Sequence, residues 1–210
     1  VSEKIGCNVR AVVRPGISDI FKRLSEKEIN EHKKLYNIKF PYILAVGTQE
    51  PRKNLERVIE AFLFLKETGF LREHRLLLVG SMGWKNKRLI SLVEGSKEVI
   101  HVGYVPYEHL PGFYNGADVF VYPSLYEGYG IPVMEARACG TKIVTTDIPE
   151  LHEAGGADAI YIDPTVEGIA RGIVKALDRK TNLLPDRSSI PSWGNGAKIL
   201  ADVIREVLNR

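Results

Sequence analysis

Seven short apolar runs alternate with stretches of helical periodicity, and this alternation limits the chain to few folds. Several runs are continuous in Val, Ile and Leu, which is typical of strands covered on both faces. Strands joined by helices pair as a parallel sheet. The sequence therefore predicts an α/β fold with helices on both faces of a parallel sheet. The predicted strands are residues 9–13, 42–46, 75–79, 99–102, 118–122, 142–145 and 159–162.

The clearest helix lies in "NLERVIEAFLFLKETG", where Asn54 is the predicted N-cap. One face of this helix is apolar and carries Leu55, Val58, Ile59, Phe62 and Leu65. Residues 165–177 and 197–208 show the same spacing. In an open parallel sheet, ligands bind beyond the carboxyl ends of the strands, so function is expected in the loops that follow them.

Composition excludes several classes of protein. Apolar residues make up 44% and charged residues 26% of the 210 positions, which is ordinary for a globular domain and unlike a disordered chain. The net charge of +3 favours neither nucleic acid nor a membrane surface as a partner. Cys7 and Cys139 cannot form a disulfide framework or a zinc knuckle, and no apolar run approaches the ~18 residues that span a bilayer. These features predict a protein of the reducing cytoplasm.

A glycine-rich turn in "EGYGIPVME" lies between two acids, Glu127 and Glu135. Pro132 suits the start of a helix, which would leave the N–H groups of Gly130 and Ile131 at the helix mouth. Such a mouth attracts phosphate, and flanking carboxylates can accept hydrogen bonds from sugar hydroxyls. The alternative is structural: one acid at a helix start and one solvated in a loop.

Two cations precede the predicted N-cap in "PRKN". Arg52 can bind phosphate oxygens as a fork and Lys53 as a point charge, and together they would stabilise a departing diphosphate. The alternative is a pair of solvated surface cations. Other site motifs are absent from the sequence, which has no GxGxxG after a strand, no GxxxxGK[ST] and no HExxH.

In its motifs and their order, the chain resembles the C-terminal, donor-binding domain of retaining glycosyltransferases of the GT-B fold, family 4. "EGYGIPVME" is similar to the family's motif of two glutamates separated by seven residues. The flanking segments agree in order and cover nearly the whole chain: "ILAVGTQEPRKNLERVIEAF", "LLLVG", "VIHVGYVPYEHLPGFYNGADVFVYPSLYEGYGIPVMEARACGTKIV" and "SWGNGAKIL". The resemblance implies a Rossmann-like domain, the C-terminal half of a GT-B enzyme.

The resemblance also implies a role for each site residue. Arg52 and Lys53 would be catalytic, because they stabilise the leaving diphosphate of a nucleotide-sugar. Glu127 would join them by binding donor-sugar hydroxyls, whereas Glu135 would bind the ribose diol. The remaining donor-binding residues would be backbone contributors: Gly47 below the phosphates, Tyr104 and Val105 around the base, and Gly128, Tyr129, Gly130 and Ile131 at the glycine turn. No metal or other cofactor is implied, since the cations and the helix dipole neutralise the phosphates.

Three segments follow from the resemblance. Residues 1–18 would be the interdomain hinge with the first strand, residues 19–180 the donor domain, and residues 181–210 a linker and terminal helix that returns to a missing N-terminal acceptor domain. The fragment alone would bind donor but transfer nothing. Any contact with the inner face of the membrane would be made by the missing domain.

The donor and the reaction class leave alternatives. "GTQEPRKNL" is similar to mannosyltransferase-like members, which makes GDP-mannose the first expectation and UDP-sugars the second. A sugar-nucleotide epimerase on the same kind of fold is one alternative function. A nucleotide-binding module without catalysis is the other.

Overall fold

A computed structural model describes residues 9–84, 87–179 and 189–208. Cys7, the beginning of the predicted hinge and most of the predicted linker lie outside these residues. The described chain divides into two compact units, one formed by residues 20–179 and the other by residues 9–19 with residues 189–208. Each unit is described separately.

The larger unit is built on six parallel strands in the order β3-β2-β1-β4-β5-β6. The strands are β1 (Tyr42–Val46), β2 (Arg75–Val79), β3 (Val99–Gly103), β4 (Val119–Tyr122), β5 (Ile143–Thr146) and β6 (Ile160–Ile162). The helices are α1 (Glu26–Leu35), α2 (Leu55–Glu67), α3 (Lys87–Glu94), α4 (Leu110–Gly116), α5 (Ile131–Ala138), α6 (Pro149–Gly155) and α7 (Val166–Asp178). The predicted α/β fold is confirmed, and six of the seven predicted strands form within two residues of their expected bounds.

Both faces of the sheet are covered, as the continuous apolar runs require. On one face Ile43 and Ala45 belong to a core that α2 and α7 complete with Ile59, Phe62 and Ile173. On the other face, the strand residues Tyr42 and Phe120 contact α4. There the Tyr42 hydroxyl donates a hydrogen bond to the Phe113 carbonyl over 2.8 Å, and the rings of Phe120 and Tyr114 make an edge contact.

The strand order reverses between β1 and β4. From β1 the chain builds outward to β2 and β3, then returns to the other side of β1 for β4, β5 and β6. In doubly wound sheets, the crevice for ligands opens at this reversal, beyond the carboxyl ends of the two central strands. The loops that follow β1 and β4 carry "GTQEPRKN" and "PSLYEGYG".

Asn54 precedes α2 as predicted, but it does not cap the helix with its side chain. Its backbone is left-handed, with φ of 57°, and its side-chain amide instead donates a hydrogen bond to the Pro164 carbonyl over 3.0 Å. The N-cap preference of Asn is therefore overridden by a tertiary contact. Asn is one of the few residues that enter the left-handed region readily, because its short side chain bonds locally.

The smaller unit contains the terminal helix α8 (Trp193–Leu208), which begins four residues before the predicted start at residue 197. Ile17 pairs with Ser192 in an isolated bridge, and Arg10 forms an ion pair with Glu206 over 3.3 Å. The predicted strand at residues 9–13 is wrong, because no strand forms there. Val12 is 68% exposed. The apolar pattern of residues 9–13 is typical of a strand, but a strand also needs a neighbouring strand to pair with, and local sequence does not specify that neighbour.

Candidate donor site

The candidate site lies where the sheet reverses. After β1 the chain passes Gly47 and makes a single 3₁₀ turn over Pro51–Lys53 before α2 begins. After β4 it runs through residues 123–130 to α5. The Leu125 N–H donates to the Arg52 carbonyl over 2.8 Å and ties the two loops together.

Glu127 is the centre of a buried charge cluster. Its Oε1 atom accepts hydrogen bonds from Arg52 Nη1 at 2.8 Å and from Lys53 Nζ at 2.6 Å. Lys53 and Glu127 are each only 7% exposed, while the Arg52 side chain is 43% exposed and also contacts Glu50 at 3.0 Å. The structure thus brings Arg52, Lys53 and Glu127 together, and the alternative of two solvated surface cations is wrong for Lys53.

The electrostatics follow from this burial. Burial raises the pKa of Glu127, but the hydrogen bond and charge of Lys53 outweigh it and hold the pKa below its ordinary value. Burial lowers the pKa of Lys53 despite the nearby carboxylate. Arg52 and Lys53 are balanced by Glu127 and Glu50, and the exposed Arg52 carries its positive charge to the mouth of the crevice. Removing one partner of such a pair costs about 3–5 kcal/mol, because the other charge stays buried and unpaired.

Helix α5 begins directly after the Glu127 loop, with Gly130 three residues beyond Glu127. Helix α5 begins at Ile131, one residue before the predicted Pro132, and Gly130 precedes it with φ of 85°. In the first turn of α5, the Val133 N–H donates a hydrogen bond to the Gly130 carbonyl over 2.9 Å. The N–H groups of Gly130 and Ile131 donate no hydrogen bond to another described residue. Unpaired N–H groups and the helix dipole make this an anion-binding terminus.

Glycine is required at position 130. A Cβ there would lie 2.6 Å from Leu151 Cδ2, and the positive φ disfavours any side chain. Gly47 lies beneath the cations, since a Cβ built on it would be 3.6 Å from Lys53 Cε. Gly128 is exposed with open space around it, and Tyr129 is half-buried on the same turn.

Glu135 lies in the second turn of α5 and is 4% exposed. The Tyr114 hydroxyl donates a hydrogen bond to its Oε2 atom over 2.9 Å. Burial outweighs the effect of the nearby tyrosine hydroxyls and raises the pKa of Glu135 to about 7. An acid kept in so costly an environment is not the ordinary helix-start acid of the structural alternative.

The predicted base loop reaches Glu135 through a residue that sequence analysis did not single out. Tyr104 is 78% exposed, whereas Val105 is buried. Tyr107, in the 3₁₀ turn that follows, makes an edge contact with the Phe21 ring at 5.2 Å. Burial and the charge of Glu135 raise the pKa of Tyr107 to about 12, so the loop after β3 comes close to this acid of α5.

Tyr122 was also missed. It is the last residue of β4 and 3% exposed, and its hydroxyl donates a hydrogen bond to Glu127 Oε1 over 2.8 Å while accepting one from Lys53 Nζ. The signal was available in the sequence: Tyr122 puts a phenol at the carboxyl end of the otherwise apolar run "VFVY", on the side where ligands bind.

No described helix combines the length and apolar character needed to cross a bilayer. Within the same described residues, no three His, Cys, Asp or Glu side chains are grouped as they would be around a metal ion.

Comparison with known proteins identifies the family of the chain. Residues 26–189 match the family model described as glycosyl transferases group 1. The chain is 40% identical over 140 residues to the O-antigen chain mannosyltransferase B of Escherichia coli, covering 65% of this chain and 36% of that protein. It is 29% identical over 196 residues to the serotype-specific mannosyltransferase WbdA of Escherichia coli, covering 88% of this chain and 24% of that protein. The chain thus spans about a quarter to a third of the length of these relatives.

Solved structures show the same fold at low identity. A glycosyltransferase from Rickettsia africae ESF-5 superposes with a TM-score of 0.80 at 17% identity, covering 94% of this chain and 57% of that one. Anabaena Alr3699/HepE, solved in complex with UDP-glucose, superposes with a TM-score of 0.80 at 15% identity, covering 93% of this chain and 57% of that one. The chain belongs to the group 1 glycosyl transferases, whose GT-B fold it shares.

Proposed function

We propose that this chain binds the nucleoside-diphosphate sugar of a retaining glycosyltransferase, and that GDP-mannose is its donor. The observation that carries the proposal is the convergence of Arg52 and Lys53 on Glu127, which lies in the loop that leads to the N–H groups that open α5. Two cations and a helix N-terminus suit a diphosphate. A buried carboxylate beside them suits the hydroxyls of the sugar that the diphosphate carries.

Each group has a task in this proposal. The diphosphate lies against Arg52, Lys53 and the N–H groups of Gly130 and Ile131, which stabilise the charge that develops as the sugar leaves. Glu127 accepts hydrogen bonds from the sugar hydroxyls. The bond between the anomeric carbon and the diphosphate breaks, and the acceptor oxygen bonds to that carbon on the same face of the sugar while its proton passes to the leaving phosphate; this is the retaining reaction that the resemblance implies. The cations perform the charge neutralisation that a metal ion provides elsewhere, so binding should be unaffected by EDTA.

The ribose and base belong to the other end of the site. Glu135 accepts hydrogen bonds from the ribose diol, and the Tyr114 hydroxyl keeps the carboxylate oriented. Tyr104 and Val105 frame the base, mainly through their backbone. Gly47 lies below the phosphates, where the absence of a side chain admits the ligand.

Mannose is supported by the relatives. The first of them, at 40% identity, is a mannosyltransferase by name, and WbdA is another. A uridine donor has weaker support, since Anabaena HepE, which was solved in complex with UDP-glucose, is only 15% identical to this chain. The acceptor and the transfer itself are properties of a longer protein, in which an N-terminal domain would hold the acceptor.

The test is calorimetric titration of the chain with GDP, UDP and ADP and with GDP-mannose and UDP-glucose, with and without EDTA. We expect guanosine ligands to bind most tightly and EDTA to change nothing. Tighter binding of the uridine ligands would refute the choice of donor. Failure of all five ligands to bind at millimolar concentration would refute donor binding altogether. Conversion of free nucleotide-sugar without an acceptor would identify an epimerase instead.

A further inference from the structure

Tyr122 stands between the two groups on which the proposed site depends. Its hydroxyl accepts a hydrogen bond from Lys53 Nζ and donates one to Glu127 Oε1 at 2.8 Å. Lys53 Nζ itself donates to the same Glu127 oxygen at 2.6 Å and lies 4.4 Å from the centre of the Tyr122 ring. The three side chains form a closed triangle of hydrogen bonds, and all three are buried.

All the hydrogen bonds from Tyr122, Lys53 and Arg52 to Glu127 end on Oε1. None of them uses Oε2. A carboxylate held by three donors on one oxygen cannot rotate without breaking all three, so the orientation of the second oxygen is fixed as well. This oxygen keeps its capacity to accept hydrogen bonds from another partner.

The Tyr122 hydroxyl both accepts and donates in this triangle, which the phenyl ring of a phenylalanine cannot do. It accepts from the ammonium, which has donors but no acceptor, and donates to the carboxylate, which has acceptors but no donor. The ring of Tyr122 stacks on Phe120 at a centroid distance of 5.7 Å, so a phenylalanine at position 122 would fill the same space. Burying a hydroxyl is costly unless it is bonded, and here its two bonds go to site residues and not to the sheet.

We propose that Tyr122 is a positioning residue for donor binding, which turns Glu127 so that Oε2 meets the sugar hydroxyls. This inference rests on the proposed function. It predicts that loss of the Tyr122 hydroxyl weakens binding of the sugar more than binding of the diphosphate. Lys53 and Arg52 retain Glu127 as a partner without the phenol, so the diphosphate site survives.

The experiment compares GDP with GDP-mannose by calorimetry on the whole chain, in the unsubstituted protein and in Tyr122→Phe. If the first titrations select uridine, UDP and UDP-glucose replace them. We expect GDP-mannose to bind about tenfold more weakly to Tyr122→Phe, as for a lost hydrogen bond to a charged group, and GDP to change less than about threefold. Equal losses for both ligands, or no loss for either, would overturn the proposal.

Tyr42→Phe is the matched control. Tyr42 is also a buried strand tyrosine whose hydroxyl donates a hydrogen bond, here to the Phe113 carbonyl, but it lies at the opposite end of its strand from Gly47. We expect this variant to lose stability without a change in the ratio of the two affinities. A Tyr122→Phe chain that no longer folds, judged by its circular dichroism, would show that the hydroxyl serves the fold and would also overturn the proposal.

A double-mutant cycle separates positioning from packing. If Tyr122 acts on the sugar through Glu127, Glu127→Gln alone should remove the sugar's contribution to affinity, and adding Tyr122→Phe should remove little more. Additive losses would contradict action through Glu127. An unsubstituted chain that binds neither ligand refutes the proposed function, an outcome that none of the variant results can imitate.

Discussion

Glu135→Gln should stabilise this protein, and by an amount that depends on pH. The carboxyl of Glu135 is almost fully buried, and burial raises its pKa from the ordinary 4.5 to about 7. A raised pKa means that the unfolded chain releases this proton more readily than the folded one. The stability that the neutral Glu135 carboxyl contributes to the folded state is therefore fully present below pH 4.5 and is lost as the pH rises through 7.

The magnitude follows from the two pKa values. A difference of roughly 2.5 units, at about 1.36 kcal/mol per unit, corresponds to about 3 kcal/mol of stability that the glutamate loses by pH 8. Glutamine accepts the same hydrogen bond from Tyr114 but does not ionise. The two chains should also differ by an offset that does not depend on pH. Between pH 5 and pH 8 the free energy of unfolding of the variant should rise relative to that of the parent by about 2.5 kcal/mol, since part of the loss has already occurred at pH 5.

Urea denaturation at pH 5, 6, 7 and 8 measures this difference. Fluorescence and circular dichroism should give coincident transitions, so that one free energy of unfolding describes each chain. The constant offset cancels when the difference is plotted against pH, which leaves the contribution of Glu135 alone. Parallel pH profiles for the two chains would refute the reasoning, because they would mean that Glu135 titrates alike in the folded and unfolded states.

Further predictions concern binding and the backbone. Because a diol is bound by the ionised form of Glu135, nucleotide-sugar affinity should rise about tenfold between pH 6 and pH 8, and Glu135→Gln should flatten this profile in calorimetric titrations. Lys53→Ala should weaken diphosphate binding by more than tenfold and nucleoside binding hardly at all; equal losses would remove Lys53 from the phosphate site. Gly130→Ala should cost about 1–3 kcal/mol in urea denaturation, since it combines a left-handed backbone with a clash against Leu151, and an unchanged midpoint would contradict this. His32, whose pKa burial lowers to about 4, should cost the folded state stability as the pH falls from 6.5 towards 4, so His32→Gln should resist acid better in circular dichroism; equal acid midpoints would count against it.

Much of the fold was predictable, because burial on both faces leaves a pattern in local sequence. Continuous runs such as "YILAV" are needed wherever a strand lies between two layers of helix, and the spacing of Leu55, Val58 and Phe62 is needed wherever a helix packs on a sheet by one face. The glycine turn was also predictable from local sequence, since the residue types at Gly130 and Pro132 are set by the local backbone geometry. The strand predicted at residues 9–13 had such a pattern too, but its formation depended on a partner elsewhere in the chain.

The amino-acid sequence alone determined the strands, the amphipathic helices and the residue types at each loop, because these respond to periodicity and backbone conformation over a few positions. Only the tertiary structure decided how those residues meet. The order of the sheet brings Lys53 to Glu127 across 74 positions and encloses both with Tyr122. Burial then changes the acidity of the side chains: desolvation by the surfaces packed around Glu135 raises its pKa to about 7. Desolvation and convergence of this kind depend on distant segments together, and no local pattern in the chain records them.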